Sequence, residues 1–158
     1  MTDEKSIFTR IIEGEIPCFK VFENDYVYSF LDINPVSRGH VLVIPKEPAR
    51  FLHELSPKSS SELGKALSII SKSIIEVTGA SSYNIIQNNG SQAGQTVFHV
   101  HFHIIPRYPE STHSFAWKTM EIDQKEASDL AGKIFAGILY NRCFLNWYPL
   151  PIKRARLL

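Results

Sequence analysis

Three histidines alternate with apolar residues in the run His99-Val100-His101-Phe102-His103, and no other feature of the chain restricts its folding as much. A period of two is the pattern of a β-strand. Successive side chains point to opposite faces, so the imidazoles share one face at intervals of roughly 6.7 Å, while Val100, Phe102 and Ile104 enter a core. Imidazoles carry donors and acceptors that need partners once buried, and a strand with only a packing role would bear aliphatic residues there. Half of the six histidines in the chain are thereby gathered on one surface. Such a surface can ligate a metal. It can instead present one imidazole as a nucleophile and use its neighbours to position protons. A purely structural cluster is the remaining alternative.

The segment before this run favours the nucleophile. Asn88-Asn89-Gly90-Ser91-Gln92-Ala93-Gly94-Gln95 is a loop of small and polar residues. Gly90, Ala93 and Gly94 let a backbone approach a ligand closely, and such a loop cradles phosphate oxygens with amide donors. Asn88, Gln95 and Thr96 add neutral hydrogen-bonding groups. A metal site would want carboxylates or thiolates nearby, and the loop contains none.

Composition removes several classes of function. A formal net charge of +1 argues against a nucleic-acid binder, which needs a strong basic excess. The one locally basic stretch, Lys153-Arg154-Ala155-Arg156, reads as a solvated tail. No apolar run is long enough to span a bilayer, and Thr2-Asp3-Glu4-Lys5 is too polar to open a signal peptide. Cys18 and Cys143 are isolated thiols, as in a reducing compartment. These features point to a cytoplasmic protein, with the nucleus open to a chain this small.

The rest of the chain reads as α+β, an antiparallel sheet with helices on one side. A short helix is expected over 2–14, capped by Thr2, with Ile7, Phe8, Ile11 and Ile12 on its apolar face. Strands are expected over 19–23, 26–31, 40–45, 82–87 and 97–105, the last ended by Pro106. Ser56, Pro57 and Gly79 delimit a long helix, with Leu63, Leu67, Ile70, Ile74 and Val77 as its buried stripe. Asp123 with Glu126 reads as a capping box opening a helix to about residue 141. One domain is expected over 1–141. The extension 142–158, with Phe144, Leu145, Trp147 and Tyr148, is apolar enough to pack on the body or on a second subunit.

The run from Gln95 to Ile105 resembles the signature of the histidine triad family, His-φ-His-φ-His-φ-φ with φ apolar. Ile7-Phe8 through Ile11-Ile12, Gly14-Glu15-Ile16-Pro17, Phe30-Leu31-Asp32-Ile33 and Gly39-His40-Val41-Leu42-Val43-Ile44-Pro45-Lys46 resemble its Hint branch. The likeness runs in order through about residues 6–140. It implies a homodimer whose sheets join into one, and a purine nucleotide substrate split at the α-phosphate to release a monophosphate such as AMP. The middle histidine, His101, would be the nucleophile and carry the nucleotidyl group. His99 and His103 would contact the phosphate, with Gln95 and Thr96 on the phosphate and leaving-group side and Asn88 and Gly94 in the phosphate loop. Asp32 would accept from the ribose hydroxyls, with Ile33 beside it, and Ile7, Phe8, Ile11, Ile16 and Phe30 would clamp the base. His40 is expected to support these groups, and Trp117 to approach the partner's site.

Some family members hold a structural zinc through a Cys-x-x-Cys pair and two histidines. Here Ser6, Thr9 and Pro48 stand at three of those positions and only His99 remains, so no metal and no other cofactor is expected. The Hint likeness implies hydrolysis of nucleoside phosphoramidates or aminoacyl adenylates. Ala93-Gly94-Gln95-Thr96-Val97 and Pro106-Arg107 also resemble the fragile histidine triad branch, which cleaves dinucleoside polyphosphates. A non-catalytic nucleotide-binding regulator is the alternative from another class.

Overall fold

The computed structural model describes residues 5–110 and 120–145, with side chains to 138. Thr2, Trp117, the side chain of Cys143 and the extension from 146 onward lie outside the described residues. The chain divides into two units, Met1–Ser114 and Phe115–Leu158. The first holds helices α1 (Ile7–Ile12) and α2 (Pro57–Thr78) and strands β1 (Lys20–Glu23), β2 (Val27–Leu31), β3 (Val41–Pro45), β4 (Ser82–Gln87) and β5 (Phe102–Arg107). The second holds α3 (Gln124–Leu145), whose first amides at Lys125 and Glu126 donate to the Asp123 carboxylate. No helix among the described residues is long and apolar enough to cross a membrane.

The five strands form one antiparallel sheet in the order β1-β2-β3-β5-β4. β3 and β4 both run antiparallel to β5, so they are parallel to each other and need a crossover, which α2 provides. The ends of α2 follow from its sequence. Ser56 accepts from the Ser59 amide at 3.2 Å, and Gly79 leaves the helix at a φ of 71°. The Glu47 carboxylate accepts from the Ser56 amide at 3.0 Å, the Ser56 hydroxyl at 2.6 Å and the Ser59 hydroxyl, which holds its pKa below the usual carboxylate range.

Residues of β3 alternate between two cores. Val41 and Val43 join Leu63, Ala66, Ile70 and Ile74 of α2 on one face. Leu42 and Ile44 join Phe8 and Ile11 of α1 with Tyr28 and Phe30 on the other. The expectation of helices on one side describes α2, while α1 closes a patch of the opposite face. Val77, expected in the buried stripe, is 77% exposed, and Ala66 takes a buried place instead.

Two boundaries differ for stated reasons. α1 starts at Ile7 because Ser6 caps it, its hydroxyl accepting from the Thr9 amide at 3.1 Å. β5 begins at Phe102 instead of 97 and continues through Pro106. Pairing with β3 stops at Val43↔Phe102, two residues short of Pro45, which has no N–H for a ladder. The Val100 amide bonds to the Ala49 carbonyl at 2.8 Å instead. At the other end β3 begins at Val41↔Ile104, so Pro106 pairs only with Tyr83 of β4 and its ring is tolerated.

Candidate active site

His99 and His101 therefore lie on irregular chain leading into β5, and His103 lies within the strand. His103 pairs with Leu42 and so projects on the α1 face. Phe8 meets the rings of His101 and His99 edge-on, with centroids 5.2 Å and 6.0 Å away. The rings of His101 and His103 are 5.1 Å apart.

Each imidazole has its protons placed by its partners. His101 Nδ1 lies 2.7 Å from the carbonyl of His99. A carbonyl only accepts, so the neutral ring carries its proton on Nδ1 and leaves the Nε2 lone pair free. His40 Nδ1 accepts from the Val36 amide at 3.3 Å, which puts its proton on Nε2. That N–H donates to His103 Nδ1 at 2.9 Å, so neutral His103 carries its own proton on Nε2 as a donor. Burial keeps both rings neutral. It pushes His103 down to about 4, helped by repulsion from His101 and His40 and opposed by Asp32. His40 is likewise lowered by burial against the pull of Asp32.

His99 departs from the expectation of three imidazoles facing one phosphate. Its Nε2–H donates to the Pro45 carbonyl at 2.9 Å, and its Nδ1 accepts from the Ser6 hydroxyl at 3.1 Å. It is buried and held neutral by desolvation. With both nitrogens engaged, its place is to fix the backbone carbonyl that orients His101. The three rings do not converge on a common point as metal ligands would. The nearest approach to such a set among the described residues is Asp32, His40 and His103, whose donor atoms lie within 4.8 Å of one another. There the His40 proton already occupies the space between the two rings. Ser6, Thr9 and Pro48 beside His99 offer hydroxyls and a proline ring, which do not suit zinc.

A cavity of about 340 Å³ opens on His101 and His103. Ile7, Phe8, Ile11, Ile16, Phe30, Asp32, Ile33 and Thr96 of the predicted set line it. Its walls are apolar and Asp32 is its one carboxylate among the described residues. Asp32 Oδ1 accepts from the Asn34 amide at 2.8 Å, while Oδ2 stands 3.5 Å from His40 Nε2. Ile33, at 90% exposed, is a flat apolar surface open to a ring. Phe19, Leu31 and Leu42 also line the cavity; they fall in the runs 19–23, 26–31 and 40–45, where the sequence pattern marks strands without telling a cavity wall from ordinary core.

Gln95, Asn88 and Gly94 are placed around the loop and not in that lining. The Gln95 side chain is buried and accepts from the Gly90 amide at 2.8 Å. It donates to the carbonyls of Arg50 at 2.8 Å and Val97 at 3.1 Å. It holds the loop in shape. Gly94 closes the turn Ser91–Ala93, with the Asn88 amide across from it.

The chain matches the HIT domain model over residues 13–110. It is 42% identical over 134 residues to the protein named adenosine 5'-monophosphoramidase hnt1 of Schizosaccharomyces pombe, covering 84% of this chain and 97% of that one. It is 41% identical over 128 residues to the protein named adenylylsulfatase HINT3 of Arabidopsis thaliana, covering 78% of this chain and 64% of that one. A crystal structure of a HIT family protein from Bacillus anthracis superposes with a TM-score of 0.82 at 37% identity, covering 86% of this chain and 99% of that one.

Proposed function

Because the chain belongs to the HIT domain family, we propose that it is a nucleotide hydrolase that cleaves at the α-phosphate of purine nucleoside phosphoramidates or aminoacyl adenylates, through a nucleotidyl intermediate on His101. The observation that carries this reading is the His101 hydrogen bond to the His99 carbonyl, which leaves Nε2 unprotonated beside the cavity. Neutral imidazole in that tautomer is a competent nucleophile near pH 7. The Nε2 lone pair forms the bond to phosphorus and the leaving group departs with the electron pair of the broken bond, an amine taking up a proton from solvent as it leaves. His103, donating from Nε2, stabilises charge on the phosphoryl oxygens. Water then attacks phosphorus, the N–P bond breaks and the monophosphate is released. Asp32 accepts from the ribose hydroxyls, and the apolar walls take the base. No step calls for a metal or another cofactor. The names of the relatives, a phosphoramidase and a sulfatase of adenylyl compounds, support this class of reaction.

The same reading includes a homodimer. β4 is an edge strand, and Tyr83 and Ile85 on it are each 43% exposed. Pairing two β4 edges would join the sheets and cover these side chains. A cytoplasmic location fits the isolated thiols, with the nucleus also open.

The test is a side-by-side assay of adenosine 5'-phosphoramidate and a dinucleoside polyphosphate, with rapid quenching. We expect the phosphoramidate to be turned over faster and an acid-labile nucleotidyl group to be trapped on His101. His101→Ala should lose at least about a thousandfold in turnover and still bind AMP. Faster cleavage of the dinucleoside polyphosphate would favour the fragile histidine triad type. Undiminished turnover in His101→Ala would refute the covalent route, and no turnover by wild type would leave a nucleotide-binding regulator.

A further inference from the structure

A second cavity, of about 850 Å³, adjoins the nucleoside cavity, and Ile7, Thr96 and Val97 line both. Its chemistry is different. Lys5 and Arg50 reach into its lining and no carboxylate does among the described residues. Its remaining polar wall is neutral, with the Ser6 hydroxyl 3.0 Å from that of Thr9 and 3.1 Å from His99 Nδ1. Lys5 is neutralised by Glu13 at 2.7 Å. Arg50 has no ion pair among the described residues. Its guanidinium lies 4.9 Å from the ring centroid of Phe98 and 5.7 Å from that of Phe51, and these two rings meet edge to face. Its backbone is pinned, the amide donating to Glu54 at 2.9 Å and the carbonyl accepting from Gln95 at 2.8 Å. A guanidinium stacked on aromatic faces keeps its N–H edges available for an anion.

We propose that this second cavity receives the leaving group, and that Arg50 adapts it to a tetrahedral oxyanion, sulfate or phosphate. The proposal rests on the hydrolase reading of the first cavity. Ile7, Thr96 and Val97 form the wall shared by the cavity that holds Asp32 and His101 and the one that holds Arg50, and this shared wall is the route we assign to the group beyond the α-phosphate. An amine leaving group needs a proton, whereas an oxyanion needs a counter-charge, which Arg50 supplies. With adenosine 5'-phosphosulfate, the His101 Nε2 lone pair forms the N–P bond as the P–O bond to the bridging oxygen breaks. Sulfate departs as a dianion with that electron pair. Water then forms the new O–P bond, the N–P bond breaks, Nε2 regains its lone pair and the proton of water passes to solvent.

The experiment compares kcat/KM of wild type and Arg50→Gln on adenosine 5'-phosphosulfate, on ADP and on adenosine 5'-phosphoramidate. The ratio of oxyanion to phosphoramidate turnover should fall about tenfold in the variant, as expected for loss of one partly exposed charge-assisted contact, with Arg50→Lys between the two. The arm with the larger fall, phosphosulfate or ADP, identifies the oxyanion. An unchanged ratio in both arms overturns the proposal. A wild-type protein that turns over none of the three sinks the hydrolase reading instead. The subsite is then read directly, by titrating inorganic sulfate and following the side-chain NMR signals of Arg50 and Phe98. Saturable shifts that Arg50→Gln removes support the subsite, and their absence overturns it.

Discussion

At the scale of single residues the site is a set of proton positions. Two rings, His99 and His101, take their tautomers from backbone carbonyls, and His103 takes its own from His40, which is oriented in turn by the Val36 amide. Burial of His40, His99 and His103 lowers each below the ordinary 6.5. Above pH 6.5 these groups are neutral in both folded and unfolded chains and contribute nothing to pH dependence. Below it the unfolded chain binds protons that the folded one refuses, so stability falls with pH, and for His103 the loss continues to about pH 4. Urea midpoints should therefore drop between pH 7 and pH 5, with a shallower slope in His103→Asn by up to about 1.4 kcal/mol per pH unit. Identical slopes would show that His103 titrates normally. Asp32 gives a second prediction. Asp32→Asn keeps the size and alters the acceptor, so affinity for AMP should fall about tenfold, with little change for the deoxynucleotide. Calorimetry that finds equal losses for both sugars would remove Asp32 from the ribose.

At the scale of elements, turns decide how well these rings are held. Gly39 precedes His40 at a φ of 81°, and a Cβ there would lie 2.9 Å from the Thr78 methyl and 3.4 Å from the Pro106 ring. Gly79 ends α2 at a φ of 71° with nothing within 4 Å of such a Cβ. Both alanine variants suffer the left-handed backbone, worth about 1 kcal/mol. Gly39→Ala must also displace the end of α2, so it should cost more than Gly79→Ala in urea unfolding. Because His40 follows directly, Gly39→Ala should lower kcat as well, while Gly79→Ala should not. Equal costs would mean that the close approach relaxes freely. The ends of α2 were legible in the sequence, marked by Ser56, Pro57 and Gly79, and the strand expected over 82–87 is β4. The start of β5 was not, because it depends on Pro45 in a neighbouring strand more than fifty residues earlier.

At the scale of the molecule, the order β1-β2-β3-β5-β4 inserts the histidine-bearing strand between two others and leaves β4 at the edge. This places His103 against Leu42 and the α1 face, where the cavity of about 340 Å³ lies. It also leaves Tyr83 and Ile85 exposed, and the proposed dimer would cover this edge. Sedimentation at micromolar concentration should show a dimer for wild type. Ile85→Lys should show a monomer with unchanged circular dichroism, since a charge facing its own copy opposes the pairing. A wild-type monomer would remove the joined sheet from the reading.

The chemistry-bearing residues were readable in order because their identity is local. Alternating histidines, a glycine-containing loop before them and an acid at Asp32 each declare a chemical capacity without reference to neighbours. The division of labour among the histidines needed the tertiary structure. Period-two alternation assigns His99, His101 and His103 to one face, yet it cannot say which nitrogens will meet a carbonyl, a hydroxyl or another ring. Those partners, Pro45, Ser6 and His40, come from distant segments. Folding brings them together, and an imidazole's role is set by whichever of its two nitrogens is left free.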